Sequence, residues 1–213
     1  MWLSTPEGTQ PVSHRLFPPT SLWSTLSLID QQSAEQTRQL GCRHCGGRLH
    51  RARYVRKPRG VARAVLGDAY IYRESFCCAS CRRRTTPASL RFLGRKVYLG
   101  ALLILFGNAA PDAAPTPMLY RALAARTGIP SRTLERWRQW WTETLPGSRW
   151  WRELRSSFVP MIRTSTLPNA LLERVTAADE TGRLIRVLAL TRPLSTTSCS
   201  HFPRLEFGTQ KMS

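Results

Sequence analysis

The stretch FCCASCRRRTTP, Phe76 to Pro87, decides how this chain is read: three cysteines in five positions, then three arginines. Its partner lies upstream in CRHCGG, Cys42 to Gly47. Together they give Cys42-x2-Cys45, thirty-two residues, then Cys78-x2-Cys81. Tetrahedral Zn²⁺ takes four soft ligands, and each C-x2-C turn supplies two thiolates from one tight knuckle. The gap is longer than the roughly 15–20 residues of compact zinc spacings. A two-stranded finger between the knuckles accounts for it, which is the architecture of a zinc ribbon. One structural Zn²⁺ on Cys42, Cys45, Cys78 and Cys81 is therefore expected. A redox C-x2-C would need a βαβ context, and none is present.

Cys77 is the spare. As a strand neighbour of Cys78 it points to the opposite face. Cys77-x3-Cys81 is a looser alternative knuckle, and His44 and His50 are alternative ligands that four thiolates make unnecessary. Cys199, in a polar tail, has no assigned task.

Working outward, the arginines behind the second knuckle belong to a wider imbalance. The 213 residues carry a formal net charge of +19. Between Gly41 and Gly100 there are 15 Lys/Arg against two acids, Asp68 and Glu74. A chain this basic repels itself and condenses onto polyanions. Arginine forks onto phosphate oxygens and guanine edges better than lysine does. Nucleic acid is the expected partner, with Arg51, Arg53, Arg56, Lys57, Arg82, Arg83 and Arg84 as phosphate contacts. The longest apolar stretch, VYLGALLILFG (97–107), is far short of the ~20 residues that span a bilayer, so no membrane partner is expected. With no secretory signal at the start, the expected compartment is cytoplasmic, where disulfides are disfavoured.

The strands follow from alternation and β-formers in RLHRARYVRK (48–57) and AYIYRESFC (69–77), joined by the loop PRGVARAVLGD. Before them, residues 1–25 are Pro/Ser/Thr-rich and read as disordered, and 26–40 as a short helix stopped by Gly41. From about Arg95 the periodicity becomes helical. RKVYLGALLILFG is one helix. TPMLYRALAARTG begins with Thr116 as N-cap and ends at Gly128, and SRTLERWRQWWTETL begins with Ser131 as N-cap. Helix, short glycine turn, then a capped second helix is a helix-turn-helix signature. Its recognition helix would present Ser131, Arg132, Thr133, Arg136 and Gln139 to a groove, with Trp137 and Trp141 in the core. Trp140, Trp150 and Trp151 are either core or a partner surface.

The expected fold class is α+β: a disordered segment (1–25), a zinc ribbon with a leading short helix (26–93), a helix-turn-helix region (94–160) and a weakly structured helical tail (161–213).

A zinc ribbon with CxxCGG…CxxCRRR, followed by TGIPxRTLxRW, resembles DNA-binding proteins and N-terminal regions of bacterial insertion-sequence transposases. The likeness covers about Gly41 to Trp141. It implies zinc on the four cysteines, a recognition helix from Arg132 to Gln139, and a role accessory to transposition or regulating it, with a separate transposase chain as possible partner. The inter-knuckle finger is longer than in typical transposase ribbons, and no catalytic domain is expected to follow. Asp112, Asp179 and Glu180 are the best-placed acids for metal-dependent chemistry, and capping or solvation explains them more simply. No P-loop, G-x-S-x-G or H-E-x-x-H occurs, so the chain is expected not to be an enzyme. The competing readings are an RNA-binding or ribosome-associated ribbon, and a protein–protein adaptor built on the tryptophan-rich helices.

Overall fold

The computed structural model describes residues 19–93, 100–107 and 116–196. It is a mixed α+β fold, mostly helical, with small antiparallel sheets. Cys199, Asp112 and the expected disorder of residues 1–18 lie outside the described residues.

Helix α1 (Thr20–Leu40) begins six residues before the sequence reading placed it. Leu22, Trp23, Leu26, Asp30 and Ala34 form one buried stripe at helical spacing. Burial of Leu22, Trp23 and Leu26 overrides the weak local signal of the Ser/Thr-rich start. The part of residues 1–25 from Thr20 onward is therefore helix. Gly41 ends it as expected, its N–H donating to the Arg38 carbonyl.

The finger is a long antiparallel pair interrupted in the middle. β1 (Leu49–Arg51) pairs with β4 (Phe76–Cys78), and β2 (Tyr54–Val55) with β3 (Tyr72–Arg73). The amide of Ala52 bonds the Ser75 carbonyl at 2.8 Å and that of Arg56 bonds Ile71 at 2.8 Å, carrying the pairing across the break and beyond. β5 (Arg84–Thr85) adds a third strand on β4. The connecting loop contains the short helix α2 (Arg63–Leu66).

That loop is not a free tip. Val61, Leu66 and Tyr70 pack into the main hydrophobic core. Gly60 makes the joint: at φ +94° it lies where a Cβ would stand 2.5 Å from Leu102 Cδ1 and 3.0 Å from Ile129 Cδ1. Only glycine fits both the backbone and the space.

The helices follow: α3 (Gly100–Gly107), α4 (Pro117–Thr127), α5 (Ser131–Gln139), α6 (Arg149–Arg155), α7 (Asn169–Arg174) and α8 (Glu180–Thr191). Residues 95–99 of the expected first helix lie outside the described residues. Thr116 caps α4 and Gly128 closes it in the left-handed region. Ile129 is fully buried beneath the turn, and α5 packs on both α3 and α4. A π-helical turn, Trp140–Thr144, extends α5 and buries Trp141. Ser148 caps α6 as read from the sequence, accepting from the Trp151 amide.

The segment after Pro160 departs from a weakly structured tail. Ile162, Leu167, Leu171, Leu184, Val187 and Leu188 belong to the same core as Trp23 and Trp141. Asp179 caps α8, its carboxylate accepting from the Gly182 amide at 2.6 Å. The end of the chain's described part returns to its start: Arg192 donates to the Ser33 hydroxyl, and the Ser89 amide to Ser195 Oγ at 2.7 Å.

A buried ion pair fastens these parts together. Asp30 and Arg91 are each about 2% exposed and pair at 2.8 Å. The Arg91 guanidinium also donates to the carbonyls of Tyr70 (2.8 Å) and Tyr72 (2.9 Å). The other Asp30 oxygen accepts the Leu90 amide at 2.7 Å, and Ser89 Oγ donates to the carboxylate too. One carboxylate thus ties α1 to the sheet arm and to the segment leading into α3.

Candidate metal centre and basic surface

The first knuckle is shaped by backbone bonds. The amides of Cys45 and Gly46 both donate to the Cys42 carbonyl, and the Cys42 amide to Gly47. In the second, the amides of Cys81 and Arg82 turn back on Cys78, one to its sulfur and one to its carbonyl. Arg82 takes the left-handed backbone that closes this turn, at φ 59°. Gly47 lets the knuckles touch, since a Cβ there would stand 2.7 Å from Ser80 Oγ and 3.1 Å from Cys78 Sγ.

The four sulfurs of Cys42, Cys45, Cys78 and Cys81 all lie within 4.8 Å of one another. Cys42 Sγ is 3.6 Å from Cys81 Sγ, and Cys45 Sγ is 3.5 Å from Cys78 Sγ. Zinc–sulfur bonds of about 2.3 Å in a tetrahedron put sulfurs roughly 3.8 Å apart. The spacing is far too long for a disulfide bond and suits one four-coordinate metal ion. Amides aimed at sulfur, that of Cys81 first, lower the Cys78 thiol to about 6. Cys81 moves the other way, to about 12. The Arg83 amide favours its thiolate, but burial and three neighbouring sulfurs oppose a further negative charge. A bound cation removes that conflict, because metal binding draws thiolates out of thiols.

A small core of its own backs the centre: Ala34 from α1, Leu49, Phe76, Cys42 and Cys78. Cys77 faces away, as expected, and sits in a lateral row with His50 and Arg84 across β1, β4 and β5. His44 and His50 are exposed and stand outside the sulfur cluster.

The predicted phosphate contacts divide into two groups. Lys57, Arg82 and Arg84 are exposed. Arg83, also exposed, contacts His44, and the others have partners too. Arg51 pairs with Glu74 at 3.3 Å. Arg53 lies over the Tyr72 ring at 4.4 Å, and half-buried Arg56 over Phe92 at 5.3 Å. Arg73 and Arg91, counted in the basic block, are buried and serve the fold. Burial lowers the pKa of Arg73, with nearby Asp30 acting against it. Sequence reasoning missed the Asp30–Arg91 pair, although Asp30 falls four residues after Leu26 and four before Ala34 on the buried face.

On α5, Ser131 is the first helical residue and does not cap: Pro130 holds the N-cap position. The Ser131 hydroxyl instead donates to the Tyr120 carbonyl of α4 at 3.4 Å, because the tight Gly-Ile-Pro turn brings the two helices together there. Arg132, Arg136 and Gln139 are exposed and Thr133 is half-buried. Arg136 Nε bonds the Arg132 carbonyl at 3.2 Å, and Gln139 donates to Glu143 at 2.9 Å. Glu135 is exposed on the same helix. The face is of mixed charge, unlike the knuckle end of the arm. Trp150 and Trp151, weighed as a partner surface, are buried in the main core, and Trp140 packs against it. Of the two places the sequence left open for these tryptophans, Trp150 and Trp151 take the core.

Among the described residues no helix is long and apolar enough to cross a membrane. In comparisons with protein-family models, curated proteins and solved structures, nothing matches this chain.

Proposed function

We propose that this chain is a nucleic-acid-binding protein built on a zinc ribbon. It acts on double-stranded DNA, as an accessory or regulator of transposition for a bacterial mobile element, and has no catalytic core of its own. The carrying observation is the combination at one end of the arm: four sulfurs spaced for one metal ion, with exposed Arg82, Arg83 and Arg84 immediately after the last of them. Residues anchored by a metal lose little entropy on binding, so a charge run fixed there is a better phosphate contact than a floppy one. The α4–α5 pair, with its buried turn and exposed Arg132 and Arg136, supports a helix-turn-helix reader of the groove. The transposition role rests on the motif resemblance alone.

A second reading, an RNA-binding ribbon with scaffolding helices, draws on the mixed charge of α5. A binding selection offering duplex DNA and structured RNA to the metal-loaded protein separates the two. Duplex enrichment, weakened at least tenfold by Arg132→Ala with Arg136→Ala, is the expected result. Enrichment of RNA, untouched by those substitutions, would replace the first reading by the second.

A further inference from the structure

Residues from the two knuckles meet outside the sulfur cluster. His44, between the first two cysteines, has Arg43 Nε 3.3 Å from its Nε2 and Arg83 Nη1 3.1 Å from its Nδ1. All three side chains are exposed. Arg83 comes from 39 residues further along the chain. A neutral imidazole has one acceptor nitrogen, so it satisfies one guanidinium at most. Among the described residues no carboxylate pairs with Arg43 or Arg83. Each guanidinium has five N–H donors, and nearly all of them are unclaimed by protein acceptors. Donors in excess on either side of one imidazole, with positive charge and no paired acid, suit an oxyanion with several acceptor oxygens.

We propose that Arg43, His44 and Arg83 form one clamp for a backbone phosphate of nucleic acid. Its two halves are held in register by the cysteine centre, so metal and nucleic acid bind cooperatively. The inference rests on the nucleic-acid reading and adds to it a site and a dependence on metal. Arg43 and His44 ride on the first knuckle, and Arg83 follows two residues after Cys81. The Cys78 amide bonds the Arg83 carbonyl at 3.0 Å, fixing where that residue leaves the second knuckle. With four thiolates on one ion the knuckles cannot drift apart, and the two arginines stay on either side of the His44 imidazole. Linkage then runs both ways: whatever factor metal adds to phosphate affinity, phosphate adds to metal affinity.

The test uses the full chain loaded with Co²⁺, whose thiolate absorption reports the metal, and a labelled random-sequence DNA duplex followed by anisotropy across a salt series. Arg43→Gln with Arg83→Gln should reduce the slope of log affinity against log salt by about 0.9, the loss of one phosphate contact. Arg152→Ala with Arg155→Ala, an equal loss of charge on α6, should change it by less than half as much. Duplex should tighten Co²⁺ binding to the unsubstituted protein several-fold, and to the Gln variant not at all. An unaltered slope in the Gln variant, an equal loss in the α6 variant, or Co²⁺ affinity indifferent to duplex overturns the clamp. If the unsubstituted protein binds no duplex at any salt, the nucleic-acid reading itself fails.

Discussion

Replacing Arg91 by Met deletes the guanidinium that pairs directly with Asp30. The side chain volume is nearly kept, so cavity formation is a minor part of the effect. What changes is the electrostatics around Asp30, which is about 2% exposed. Its carboxylate keeps the Leu90 amide and the Ser89 hydroxyl but loses the guanidinium. The carbonyls of Tyr70 and Tyr72 lose their side-chain donor at the same time. Breaking one side of a buried ion pair costs about 3–5 kcal/mol. With a urea dependence of about 2 kcal/mol per molar, that is a midpoint lowered by roughly 1.5–2.5 M. Urea unfolding of the metal-loaded protein, followed by tryptophan fluorescence and circular dichroism, measures it. Asp30→Asn should be similarly costly alone, and the double variant should recover at least ~1.5 kcal/mol relative to the sum, because the orphaned charge is gone. A single-variant cost below about 1 kcal/mol, or a double variant equal to the sum, would refute the view that this pair fastens α1 to the arm.

Two further outcomes test the packing. Gly60→Val places a branched side chain on Leu102 and Ile129 at a left-handed backbone, and a loss of more than about 3 kcal/mol in thermal or urea unfolding is expected. The double variant Gly60→Ala/Leu102→Ala should lose less than the sum of the two single losses, because the trimmed leucine no longer meets the new Cβ. Tyr70 is buried with its hydroxyl unpartnered among the described residues, and burial raises its pKa above the usual tyrosine range. The folded state holds that proton more tightly, so stability falls as pH rises past the unfolded value of about 10. Tyr70→Phe should be neutral or stabilising by ~1 kcal/mol near pH 7 and should flatten the alkaline fall in a pH series; destabilisation above 1 kcal/mol at pH 7 would show that the hydroxyl has a partner.

How much of this was legible in the sequence varies with the kind of signal. The four cysteines were legible because ligand spacing is a local covalent pattern, and the sulfurs do converge. The helices α4 and α6 were legible because Thr116 and Ser148 cap them through contacts three residues away. Ser131 misled, because Pro130 held the cap position and a hydroxyl was free to serve a neighbouring helix. The start of α1 and the segment after Pro160 were under-read for a common reason. Leu22 and Trp23 gain their stabilisation from Tyr70 and other distant residues, and Leu184 and Val187 from the same shared core. Long-range burial leaves little trace in a local window. The basic block misled by totals: Arg73 and Arg91 add to the formal charge yet hold the interior together.

The meeting of Ser33 with Arg192, 159 residues later, has a consequence in time. A chain emerging at roughly 5–20 residues per second makes α1 wait some 10–30 seconds for its last partner. The two knuckles close over a separation of only 39 residues. The cysteine end can therefore settle first, giving the far end of α1 a seat through Ala34 while Leu22 and Trp23 are still without their core. On the ribosome, metal supply and the exposure of that apolar stripe become parts of one schedule.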